Sequence, residues 1–191
     1  INGDEFEQED NRKFFGAGVT HVQDVSDRLS LSGGANLRYD DISDIGLYKT
    51  AARQRVSTVR QDSVEQLSVG AWGEAEYAFT NRLRATAGLR ADYYSADVNA
   101  ISEPRNTGSA DDTLVSPSLG LAWRAGDALE LYANYGQGFH SNDVRGATIT
   151  IDPQSGGVAD AVPILVRADG GEIGARFEQG PFRATVALFA L

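Results

Sequence analysis

The sequence predicts an all-β fold, an antiparallel up-and-down β-barrel that spans a membrane. Three observations predict this class. Apolar and polar residues alternate with a period of two over long stretches such as 64–98, and successive side chains of a strand point to opposite faces. Between Leu67 and Tyr93, outside a break at 80–82, the charged residues are confined to one face. Short and long connections alternate along the chain, as they do in transmembrane barrels.

The stretch 64–98 shows the pattern best. From Leu67 to Tyr93 every second residue is apolar or small, apart from a break at 80–82 that contains an Asn and indicates a hairpin turn. The charged residues predicted to face a polar lumen, here and on neighbouring strands, are Arg38, Glu74, Glu76, Arg84, Arg90, Asp92, Arg124 and Glu130. A soluble β-sandwich could contain such a hairpin, but it has no reason to sort its connections by length.

Eight strands follow from the alternation along the whole chain. They are predicted at 13–23, 29–40, 64–79, 83–98, 114–124, 129–139, 166–178 and 182–191. Short turns are predicted at 24–28, 80–82, 125–128 and 179–181, and long polar connections at 41–63, 99–113 and 140–165. The long connections, together with residues 1–12, are expected on the outer side of the membrane.

Composition excludes several classes of function. The chain has no cysteine, so it has no disulfide, thiolate nucleophile or Cys-ligated metal. A net charge of −10 argues against nucleic-acid binding. We predict neither a cofactor nor a metal site.

One polar cluster, at the start of the third long connection, is a candidate site. His140, Asn142, Asp143 and Arg145 can contact a ligand there, with Arg145 recognising an anionic group. The same residues also suit loop structure, with Asn and Asp turning the chain and Arg145 pairing with Asp143, and we favour this interpretation. A hydrolase triad with Ser141 is a weaker alternative, because neighbours in sequence do not show triad geometry.

The run LYANYGQGF at 131–139, the longer SPSLGLAWRAGDALELYANYGQGF at 116–139 and GLYKTAARQR at 46–55 carry a family resemblance. They resemble segments of TonB-dependent outer-membrane receptors, whose barrels of about 22 strands are closed by a plug domain. The resemblance implies that residues 1–191 are an arc of about eight strands from such a barrel, without the plug domain and the C-terminal strands.

The resemblance also implies a function and partners. The full protein would sit in the outer membrane of a Gram-negative bacterium and take up a scarce nutrient, most often an iron–siderophore complex, using energy delivered by TonB. The inward charges would face the plug domain, and the outward side chains would face lipid. A self-contained eight-stranded structural or adhesive barrel remains an alternative, and pairing of the first strand with the last would mark it.

Overall fold

The computed structural model describes residues 5–191, which form an eight-stranded antiparallel sheet with the strands in chain order. The strands are β1 (Glu5–Ser26), β2 (Leu29–Ala51), β3 (Gln54–Thr80), β4 (Leu83–Ala100), β5 (Gly108–Arg124), β6 (Leu129–Ser141), β7 (Leu165–Gln179) and β8 (Phe182–Ala190). A 3₁₀ turn, Pro104–Asn106, precedes β5, and one short helix, α1 (Val144–Ala147), precedes β7. Among the described residues, no helix has the length and apolarity needed to cross a membrane.

The sheet is open between its first and last strands. Across residues 5–191, β1 pairs only with β2 and β8 pairs only with β7. The β1–β8 ladder that would mark a self-contained barrel is therefore not formed within the described chain.

The two faces of the sheet differ in burial and chemistry. On β4 the even-numbered residues Asp92, Ala96 and Val98 are buried, whereas the odd-numbered Leu89 and Tyr93 are exposed. Side chains crowd together on the concave side of a curved sheet and spread apart on the convex side, so the even-numbered face of β4 is the inner face of an arc. The arc is a half-barrel, and its inner face carries the polar and charged rows.

The outer face is an apolar band bordered by aromatic residues. Leu89, Leu119 and Ile173 are each more than half exposed, which a soluble protein rarely permits over so wide an area. Tyr77 pairs with Leu29 near the lower end of β2, and Tyr39 lies ten residues further along that strand. At about 3.3 Å per residue and a tilt of roughly 40°, the two tyrosines are about 25 Å apart in height, the thickness of a barrel's apolar band.

The short turns lie where the sequence predicts them, but the predictions of two of the three long connections are wrong. The expected connection 41–63 is a continuation of β2 and β3 around a turn at Ala52–Arg53. The expected loop 99–113 shrinks to 101–107, and β1 already begins at Glu5 within the segment expected to be outside the strands. Residues 1–4 of that segment lie outside the described residues. The third connection, 142–164, remains long.

The extended strands are hidden in the sequence for two reasons. Register shifts at Ile42/Ile45, Leu47/Tyr48 and Lys49/Thr50 interrupt the period of two in β2, because a bulge moves the following side chains to the other face. The turn at Ala52–Arg53 has positive φ at both residues, as a two-residue hairpin requires, but it lacks the usual Asn-Gly signal.

Candidate functional site

The long connection 142–164, which we call the inner strap, folds back against the inner face of the half-barrel. Its helix α1 places Val144 in an apolar cluster with side chains of the strands. The other buried members of this cluster are Ile42, Val64, Ala96, Val98, Leu114, Ile164 and Leu165. The strap is therefore packed into the concave side of the arc.

A buried carboxylate joins the strap to the curved sheet of strands β1–β8, which we call the wall. Asp62 of β3 is only 1% exposed and accepts a hydrogen bond of 2.6 Å from Nε of Arg60. Nη1 of Arg145, on the strap, lies 3.6 Å from the same carboxylate. Arg60 also donates a hydrogen bond of 3.0 Å to the main-chain carbonyl of Arg145. One buried negative charge is thus shared between an arginine of the wall and an arginine of the strap.

Asp143 starts the helix and binds Arg145. Its carboxylate accepts the main-chain N–H of Arg145 at 3.0 Å, as an N-cap residue does. Nε of Arg145 lies 3.0 Å from each carboxylate oxygen. Burial opposes ionisation of Asp143, but the hydrogen bonds and positive charge of Arg145 outweigh it, so the pKa of Asp143 lies below its usual value.

The other two candidate residues lie at the root of the strap. Nδ2 of Asn142 donates to the carbonyl of Pro163 at 2.9 Å, and this bond closes the base of the strap. His140 is exposed near the end of β6, opposite Val166. Within the described chain its ring forms no hydrogen bond to Ser141 or Asp143, so the geometry of a hydrolase triad is not formed there.

A second anchor of the strap is Asn106, which is 1% exposed. Its side-chain oxygen accepts the main-chain N–H groups of Thr150 and Ile151, both at 2.9 Å. Its Nδ2 donates to the carbonyl of Ile151 at 2.8 Å. One amide side chain therefore satisfies three main-chain groups of the strap.

A cavity of about 340 Å³ lies beside Arg145, between the strap, β1 and β2. The charged residues that line it are Glu9, Asp10, Arg60 and Arg145. Two arginines and two carboxylates around one opening give it mixed charge, suited to a polar ligand. His140 and Asn142 do not line it.

Below the strap, several of the predicted lumen residues form ion pairs between strands, and the pair of Arg84 and Glu130 reaches over β5 from β4 to β6. Arg84 donates to Glu130 at 2.8 Å and 3.1 Å, and Arg176 reaches the same carboxylate at 3.1 Å. Glu76 lies 3.8 Å from Arg84. Glu74 and Arg124 form no ion pair within the described residues.

A second group of lumen charges lies flat against β3. Arg90 binds Asp92 at 2.8 Å and reaches Asn36 of β2 at 2.9 Å. It can cross β3 because Gly70 has no side chain there: a Cβ at this position would lie 2.6 Å from Oδ1 of Asp92. Arg38 binds Asp40 in the same way, at 2.7 Å.

Sequence reasoning missed Arg60, Asp62 and Asn106, because it placed all three in loops. A signal was available in the chain. Ile42, Val64, Ala96 and Val98 are apolar residues on the face that carries charges lower down. Such a change in chemistry along one face indicates that something covers the upper part of that face.

The eight-stranded half-barrel matches a protein-family model in sequence and several solved structures in fold. The family model of the TonB-dependent receptor-like β-barrel matches residues 2–191. The chain therefore belongs to this family of receptor barrels. No curated protein matches the chain in sequence.

Solved structures with a similar fold are named as transporters and receptors. The copper transporter OprC has a TM-score of 0.73 at 18% identity, and the match covers 96% of this chain and 30% of OprC. The ferric yersiniabactin uptake receptor FyuA from Yersinia pestis has a TM-score of 0.68 at 15% identity, covering 96% and 28%. The FrpB iron transporter from Neisseria meningitidis has a TM-score of 0.65 at 18% identity, covering 93% and 27%. The chain thus spans less than a third of each of these proteins.

Proposed function

We propose that this chain is an arc of an outer-membrane receptor that takes up a scarce nutrient with energy delivered by TonB. The family match over residues 2–191 carries the proposal. The similar structures named as transporters or receptors of iron, ferric yersiniabactin and copper support a metal-containing nutrient. We propose an iron–siderophore complex as the ligand.

We further propose that additional strands and a plug domain complete the barrel in the outer membrane of a Gram-negative bacterium. The unpaired outer edges of β1 and β8 support this, because an unpaired edge in lipid leaves main-chain groups without partners. The exposed apolar band supports contact with lipid. The inward charges Arg38, Glu74, Glu76, Arg84, Arg90, Asp92, Arg124 and Glu130 would line the hydrated space beside the plug.

The ligand contact proposed for this arc centres on Arg145, with His140, Asn142 and Asp143 around it. Asp143 binds Arg145 through a half-exposed carboxylate, so an anionic ligand group entering the mouth can compete for the same guanidinium. A guanidinium matches carboxylate-like groups because two of its N–H donors point the same way. The adjoining cavity gives such a group space.

Uptake by the full-length receptor tests the function. Cells that lack the receptor are given radiolabelled iron as ferric citrate, a ferric hydroxamate and a ferric catecholate, with and without TonB. We expect the receptor to restore uptake of at least one complex, and only when TonB is present. Uptake that is unchanged by the receptor for all three, or independent of TonB, contradicts the proposal.

A matched pair of variants tests the ligand contact. Arg145→Gln is compared with Arg105→Gln, because each arginine binds an acid two residues before it but Arg105 lies outside the strap and the cavity. We expect Arg145→Gln to raise the KM for uptake about tenfold or more, the usual effect of losing a charge-assisted bond. Equal effects of the two changes would remove Arg145 from the ligand contact.

A further inference from the structure

The inner strap covers a wall that a hydrated lumen would otherwise wet. Ile42, Val64, Val98 and Leu114 lie on the inner face and are each at most 8% exposed. Val144 and Ile164 of the strap pack against them. Lower on the same face the residues are charged, so the wall is apolar only where the strap lies. Removing the strap would expose this apolar surface to water, which is unfavourable.

The two buried polar anchors, Asp62 of β3 and Asn106 of the turn between β4 and β5, hold different parts of the strap. Asp62 holds the first turn through Arg145, and Arg60 binds the carbonyl of that same residue. Asn106 holds the middle through Thr150 and Ile151. If the strap moved away from the wall, the buried carboxylate of Asp62 would lose one of its two arginines. Three main-chain groups would also lose their hydrogen-bond partner, and both changes are unfavourable.

The strap turns back at residues 152–157, and residues 154–157 of this turn are exposed. Val158 follows the turn and pairs with Ile151, but its side chain lies away from the strands and is 88% exposed. A strap held firmly at its start and middle, with an exposed tip, is a fixed obstruction on one side of the barrel mouth. It is not a loop that hangs outside the membrane.

We propose that the inner strap closes the outer mouth of the lumen along β2–β5, and that Asp62 and Asn106 are the residues that hold it closed. The strap restricts entry on this side to whatever passes beside it. Neither anchor needs to touch a ligand, but Asp62 holds the strap through Arg145, the residue proposed to contact one, so the two roles share this arginine.

The test measures access to the strap from outside intact cells that express the full-length receptor. The reagent is a membrane-impermeant maleimide, and the targets are single cysteines in place of Val144 or Val158. We expect Val158→Cys to react quickly and Val144→Cys to react at least about tenfold more slowly, because the side chain of Val144 is buried between the strap and the strands. Adding Asp62→Asn or Asn106→Ala to Val144→Cys should raise its rate by about tenfold.

The controls match the anchor variants in chemistry. Asp160→Asn removes a carboxylate from the strap without touching an anchor, and Asn99→Ala removes an amide whose hydrogen bond, of 3.4 Å, goes only to Ser63. Both should leave the rate of Val144→Cys unchanged. Labelling is compared at equal amounts of receptor in the membrane. Hydrogen exchange at Thr150 and Ile151 in the otherwise unchanged receptor gives a second measure that does not depend on the cysteine.

The inference rests on the proposed orientation, with the strap on the cell surface, and the outcomes separate the two claims. If Val158→Cys does not react, the orientation is wrong and the strap does not close an outer mouth. If both cysteines react equally fast, the orientation stands and the strap is open. If Asp62→Asn and Asn106→Ala behave like their controls, these residues are not its anchors.

Discussion

At the scale of single residues, the inner wall depends on small side chains that let charged ones lie flat. Gly70 faces the lumen between Asn36 and Asp92 of the neighbouring strands. The guanidinium of Arg90 crosses above it to reach Asn36. Gly174 makes room in the same way for the ring of Tyr132, because a Cβ there would lie 2.5 Å from Cζ of that ring. These close approaches explain part of the high glycine content.

Gly70→Val should therefore destabilise the barrel by about 1–3 kcal/mol, the usual cost of overpacking. The new side chain would push Arg90 away from Asp92, which is 3% exposed and would lose its partner. Unfolding of the full receptor in lipid measures the change. Gly73→Ala is the control, since a Cβ there meets its nearest neighbour at 4.0 Å. Equal stability of Gly70→Val and the unchanged protein would contradict the conclusion that Arg90 needs a glycine at this position.

The assignment of faces makes a second residue-scale prediction. Leu89→Arg places a charge on the lipid side and should cost about 2–4 kcal/mol near the midplane. Glu74→Arg places the same side chain on the inner face at nearly the same depth, since Glu74 pairs with Gly88. We expect little loss from it. In a membrane-folding titration, similar costs for the two variants would show that both faces meet the same environment, and a larger cost for Glu74→Arg would show that the faces are reversed.

At the scale of elements, the hairpin of β2 and β3 shows what the sequence can and cannot reveal. The lower strands are predictable because one face meets lipid and the other meets water, so every second residue is apolar. Above the aromatic residues water reaches both faces and that constraint ends. Pairing then depends on main-chain hydrogen bonds, bulges and the turn at Ala52–Arg53, none of which leaves a period of two.

The turn itself can be improved. Ala52 and Arg53 have φ values of 50° and 62°, a left-handed conformation that costs ordinary residues about 1–2 kcal/mol each. Changing the pair to Asn-Gly supplies the residues that this turn favours. We expect the hairpin tip to gain roughly 1 kcal/mol or more, measured by hydrogen exchange of residues 48–58. A loss of protection there would show that the turn is not of this type.

The strap should respond to acid through Asp143. The pKa of Asp143 in the folded chain lies below its ordinary value, so its ionised form stabilises the fold above the unfolded pKa of about 3.9. That stabilisation is lost as pH falls through the lower, folded pKa. Hydrogen exchange of α1, corrected for intrinsic rates, should therefore rise on acidification below about pH 4.

Asp143→Asn is the matched control for the acid response. Asn keeps the N-cap bond but cannot carry the charge that binds Arg145. We expect this variant to exchange faster than the unchanged protein at neutral pH and to lose most of the added response to acid. An acid response of full size in Asp143→Asn would assign it to another group.

At the scale of the whole molecule, the alternation and the family resemblance predict the fold, but they do not predict where the strap lies. Residues 131–139 give the strand that leads to it. Its inward course depends on Asp62 and Asn106, which are distant in sequence and have no motif around them. His140, Asn142, Asp143 and Arg145 were singled out from local chemistry alone, and their contact with a ligand stays a prediction.

The measurement that tests the central claim most directly is the size and location of the natural protein, detected with an antibody to the inner strap. An arc that covers about 30% of similar receptors should belong to an outer-membrane protein roughly three times its own 20.5 kDa. We expect a band of that size in the outer-membrane fraction. A membrane band at 20.5 kDa, or a band found only in the soluble fraction, would contradict the account of this chain as part of a larger receptor barrel.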